Sequence, residues 1–111
     1  MIAFNANNSL RLAVPTNVPP TQPTIVIAPE DALAGDSIEC VVAEGSIDLD
    51  PVTYGFRWFR DGEFAKDVGN VPIIPAGITL GGETWVCEAR GNDGVESSPP
   101  ASAEITFTEG E

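Results

Sequence analysis

Few folds suit a chain whose apolar residues recur at every second position, and this sequence repeats that period along most of its length. In DSIECVVA, residues 36–43, Ile38, Cys40 and Val42 share one face. In PVTYGFRWFR, residues 51–60, Val52, Tyr54, Phe56 and Trp58 alternate with Thr53, Gly55, Arg57 and Phe59. In ASAEITFT, residues 101–108, Ala103, Ile105 and Phe107 alternate with Ser102, Glu104, Thr106 and Thr108. PTIVIAP, residues 23–29, is a short β-branched run between prolines. Alternation is the mark of a half-buried strand, and no stretch sustains the 3.6-residue period of a helix. The punctuation agrees. Asp61-Gly62 is the pair expected in a tight hairpin that needs positive φ. Gly81-Gly82 opens the stretch carrying Cys87, and Asn92-Asp93-Gly94 closes it. The 10 prolines suit edges and loops better than strand centres. The chain is therefore read as all-β, a sandwich or barrel of short antiparallel strands. Its candidate core is Ile38, Phe56, Trp58, Ile105 and Phe107.

A length of 111 residues suits one domain with one core. No run approaches the ~20 apolar residues of a membrane span. The start, MIAFNANNSLRLAV, places asparagines where a secretion signal has its apolar run, so no such signal is legible. The chain then acts where it is made or belongs to something longer. Net charge is −12, and it is unevenly placed. Residues 1–29 hold Arg11 and no acid, whereas all 17 acids lie from Glu30 onward against four bases, a balance of −13 there. So acidic a body repels nucleic acid and anionic membranes, which excludes both as partners.

VPTNVPPTQPT, residues 14–24, has the composition of an extended, polyproline-like linker. It divides the chain into an arm with linker over residues 1–21 and a sandwich over residues 22–109. Ile2, Phe4, Leu10 and Leu12 are too few to form a core of their own. A disordered tail is one reading of the arm. The reading adopted is a hook that orders against a protein partner, held away from the sandwich by Pro15, Pro19 and Pro20.

Cys40 precedes Trp58, and Trp58 precedes Cys87, each in a different expected strand. With SIDLDPVTYGFRW (46–58) and GGETWVCEARGNDG (81–94), that order resembles the immunoglobulin-like sandwich, in particular the Ig-like repeats of large bacterial surface proteins. The resemblance covers about residues 23–108 and implies that Cys40 and Cys87 join two sheets beneath Trp58. The interval between the cysteines implies about seven strands. One departure stands out: Trp85 occupies the place of the family's corner tyrosine, and an indole cannot make the phenolic bond. Other roles for the cysteines lack company. Without histidine there is no base to activate a thiol and no ordinary zinc set. A disulfide, or a reduced pair buried in the same place, remains.

In the resembled family the loop matching EGSIDLDP looks like a calcium loop. Asp48 and Asp50 could ligate calcium here, with Asp93 in the facing turn adding an oxygen. The plainer reading is a solvated turn with Asp50 before a proline and no metal or other cofactor. Phe59 and Phe64 flank the Asp61-Gly62 hairpin opposite Trp58 and are read as an exposed contact patch.

No nucleophile set or phosphate loop is present, so an enzyme is not expected. The expected function is that of a virion structural protein, a capsid decoration or head-fibre subunit of a tailed phage and possible homo-oligomer. The resemblance contributes the frequency of Ig-like domains on such particles. The residues contribute a start at Met1, a short chain, and an acid-free arm joined to an acidic head. The alternative is an Ig-like repeat of a bacterial surface or adhesion protein, secreted or on the cell surface, where a disulfide forms readily.

Overall fold

A computed structural model describes residues 17–108. Seven strands form: β1 (Thr24–Ala28), β2 (Ile38–Glu44), β3 (Thr53–Arg60), β4 (Glu63–Phe64), β5 (Ile73–Ile74), β6 (Thr84–Asn92) and β7 (Ala101–Thr106). They make two antiparallel sheets, in the orders β1-β2-β5 and β4-β3-β6-β7. The all-β sandwich of about seven strands expected from the two-residue period is present. In β6 the alternation is complete: Trp85, Cys87, Ala89 and Gly91 are buried and their neighbours half-buried. Asp61 and Gly62 form the two-residue hairpin between β3 and β4 with φ of 51° and 85°, the geometry for which Asp-Gly was read.

Cys40 on β2 and Cys87 on β6 form a disulfide between the sheets, with Cα atoms 6.3 Å apart. Trp58 lies opposite Cys87 across the β3–β6 ladder and is wholly buried. Its indole N–H donates to the Val71 carbonyl at 2.8 Å, so the aromatic body is buried without an orphaned donor. Trp58 meets Trp85 edge-on at 6.3 Å between ring centroids. Ile38, Ile74 and Phe107 complete the centre of the core. Of the candidate core, Phe56 and Ile105 are only partly buried and pack against its margin. Phe107 lies just beyond β7 yet is buried, because its N–H and C=O bond the Glu83 carbonyl and the Gly82 amide.

The corner before β6 is closed by Glu83. One carboxylate oxygen, Oε1, accepts the Trp85 indole N–H at 2.9 Å and the Leu80 amide at 2.8 Å. The other oxygen faces the Arg60 guanidinium at 3.7 Å. Arg60 in turn lies over the Trp85 ring, 4.6 Å from its centroid. A single carboxylate thus ties the loop to the strand.

The proline-rich stretch does not stand clear of the sandwich throughout. Pro20 and Pro23 are buried. Thr21 exchanges hydrogen bonds with Ile47, at 3.2 Å from its amide and 2.7 Å to its hydroxyl. Gln22 donates to the Pro100 carbonyl at 2.7 Å. Residues 17–22 therefore line the sandwich, and Pro19 and Pro20 do not hold them off. Proline lacks an N–H but not a hydrophobic ring, and here the rings cover core edges while neighbouring residues make the bonds. Ile2, Phe4, Leu10 and Leu12 lie outside the described residues.

Candidate functional site

Two places on the sandwich gather functional groups. The first is the end where the β2–β3 and β6–β7 loops meet the segment beginning at Asn17. Oxygens of Asp48, Asp50 and Asp93 there lie within 4.8 Å of one another. The sequence paired Asp48 with Asp50 and named Asp93 in the facing turn, and the fold brings all three together. The approach needs Gly91: a Cβ there would meet the Ser46 side chain and sit 2.9 Å from Val52 Cγ1.

Local turn chemistry consumes much of this cluster's acceptor capacity. Asp48 Oδ1 accepts the Asp50 amide at 2.8 Å. Asp93 Oδ1 accepts the Val95 and Glu96 amides at 2.9 Å each, and its Oδ2 accepts the Asn17 side-chain amide at 3.0 Å. Asn17 also donates to Glu96 at 2.8 Å. Calcium takes six to eight oxygens, and three carboxylates partly spent on N–H donors fall short of that set. The cluster's clearest role is to shape two loops and pin Asn17 between them.

Asp93 shows this electrostatically. Amide donors, first Glu96 and then Val95, hold its carboxyl at about 2 against an ordinary 3.8. A carboxylate with a lowered folded pKa stabilises above its unfolded value and loses that contribution as pH falls toward the folded one. Asp93 therefore contributes above about pH 4 and ceases to contribute as the pH nears 2. Asp93→Asn keeps the acceptor oxygen but removes the titration. Melting temperature followed from pH 4 to 2 is expected to fall less steeply in this variant than in the parent. Equal slopes would assign the acid sensitivity elsewhere.

The second place is the outer face of the four-stranded sheet. Phe64, Phe59 and Val86 run across it in register, followed by Glu104. The next row is Arg57, Glu88 and Ser102, and beyond it Gly55 faces Arg90. The phenyl rings of Phe59 and Phe64 are 5.8 Å apart, with Arg57 over both at 5.9 and 5.3 Å. Glu88 Oε1 is shared by Arg57 at 3.5 Å and Arg90 at 3.6 Å. Since Gly55 has no side chain, a recess of about 300 Å³ opens over it beside Phe56, Phe64 and Asn70. Asn70 is held there by accepting the Phe56 amide at 2.7 Å. Period two put Phe59 opposite Trp58, but the recess and Asn70's position depend on loop packing that no local pattern encodes.

No family model matches the chain, and no curated protein is significantly similar to it.

Proposed function

We propose that this is a non-enzymatic structural protein of a virion, a capsid decoration or head-fibre subunit of a tailed phage. Its N-terminal arm docks on the shell and its acidic, Ig-like sandwich projects outward. The observation that carries the reading is the division of charge: no acid in residues 1–29, and a balance of −13 beyond them. An acidic head stays soluble and repels its neighbours, whereas an acid-free arm can approach a protein surface. The hydrogen bonds of Asn17, Thr21 and Gln22 support the division, because they give the arm a defined point of departure.

Burying Ile2, Phe4, Leu10 and Leu12 on a partner contributes roughly 1.5–3 kcal/mol each. Ordering a dozen residues costs about 1 kcal/mol or more apiece, so a single arm binds weakly. Several arms acting on one symmetric shell bind far better through effective concentration. Deletion of residues 1–14 is expected to leave the melting temperature unchanged and to abolish co-sedimentation with the assembled capsid. Unfolding of the truncated chain would make the arm part of the sandwich. Retained attachment would move the contact to the acidic head and overturn the division of labour.

The disulfide favours a second reading, an Ig-like repeat of a bacterial surface or adhesion protein, since such bonds persist in oxidising compartments. Finding the chain in purified particles decides between the two.

A further inference from the structure

The outer face of the four-stranded sheet carries a projection and a depression side by side. Phe64 is the projection, with 49% of its surface exposed although it is aromatic. The recess over Gly55 is the depression, and Phe64 forms one of its walls. Adjacent knob and hole have a simple geometric property. A two-fold axis running between them, in the plane of contact, sets the knob of each copy over the hole of the other. Such isologous contacts are the commonest way in which identical chains associate.

Charge points to the same occupant. The protein carries −12, so two copies repel over most approaches. On this face Arg57 and Arg90 offset Glu88 and Glu104, so the local charge is zero. Arg57 and Arg90, two of the four bases beyond residue 29, lie on this face. Two copies therefore meet here with least repulsion, and each offers the other both signs. The recess also suits an aromatic ring. Gly55 leaves its floor open, Phe64 supplies apolar wall, and Arg90 in the lining offers a guanidinium to the face of an entering phenyl.

We propose that this face is a self-association surface, on which Phe64 of one copy enters the recess over Gly55 of a second and the insertion is returned across a two-fold axis. The proposal is independent of where the protein resides.

The test uses the full chain, with mass measured by sedimentation equilibrium up to about 1 mM in roughly 0.5 M salt, which screens the self-repulsion. The parent is expected to reach twice the 11.6 kDa protomer mass. Two substitutions attack the contact from opposite sides. Phe64→Ser removes the knob. Gly55→Leu fills the hole at little cost to the fold, because a Cβ at Gly55 meets only the Asn70 amide nitrogen, at an ordinary 3.8 Å. Both variants are expected to keep the parent's melting profile at low concentration and to remain at protomer mass. A parent that stays monomeric throughout, or a dimer that survives either substitution, would falsify the proposal.

Discussion

The double substitution Cys40→Ala/Cys87→Ala is expected to lower the free energy of unfolding by about 4 kcal/mol, from the chain-entropy cost of a loop of this length. The bond closes 47 residues of separation and joins the two sheets at their centre. Both cysteines are almost fully shielded, beneath Trp58 and beside Trp85. Two alanines keep the inward faces apolar, so most of the loss comes through the unfolded chain, with a smaller packing cost from the missing sulfurs. Domains of this size have only about 5–15 kcal/mol in total, so the variant is left marginal. Urea unfolding of oxidised parent, reduced parent and double variant measures the effect. Coincident curves for oxidised parent and variant would mean that the core, and not the crosslink, holds the sheets together.

The second large effect belongs to the corner before β6. Trp85→Ala is expected to cost about 3–5 kcal/mol, the usual range for truncating a buried tryptophan. Trp85 is fully buried against Trp58, so the loss includes an aromatic pair as well as a cavity. Glu83 separates packing from polar satisfaction. In Glu83→Ala the indole N–H and the Leu80 amide lose their common acceptor, at about 1–3 kcal/mol when such donors are left unpaired. Glu83→Gln retains an acceptor oxygen and surrenders only the charge facing Arg60, a long contact at 3.7 Å between side chains 15% and 34% exposed. The expected order of stability is parent, Glu83→Gln, Glu83→Ala, Trp85→Ala. If glutamine proves as damaging as alanine, the ion pair with Arg60 outweighs the two hydrogen bonds.

Much of this architecture was legible because it depends on parity. Trp58, Cys40 and Cys87 face inward for the same reason that Arg57 and Glu88 face outward: successive side chains of a strand take opposite sides. Asp61-Gly62 was legible because few residues tolerate its backbone angles. What escaped prediction depends on contacts between distant loops. Ile73 and Ile74 form β5 only because β2 is there to pair with, and two residues carry no period. Nothing in the local pattern singled out Glu83, yet it is the acceptor at a buried corner. The prolines near residue 20 read as a spacer because composition reports stiffness and not where a stiff segment rests. Asp93 does lie with Asp48 and Asp50, as the facing turns suggested, but the part Gly91 plays in that approach is revealed by no pattern of acids along the chain.

The crosslink between β2 and β6 also decides how the molecule responds to mechanical load. Tension applied through its two ends reaches Cys40 from one side and Cys87 from the other, and the covalent bond carries it across. The intervening stretch, about 160 Å of contour at the span of an extended chain, is removed from the load path. Under force only the segments outside the two cysteines can unravel: β1 with its lead-in and the first residues of β2 on one side, the second half of β6 with β7 and its tail on the other. Both tryptophans fall inside that loop. Trp58 stays within the protected loop, while Trp85 sits two residues inside its closing cysteine, so the corner it anchors is the last element sheltered before the chain begins to extend.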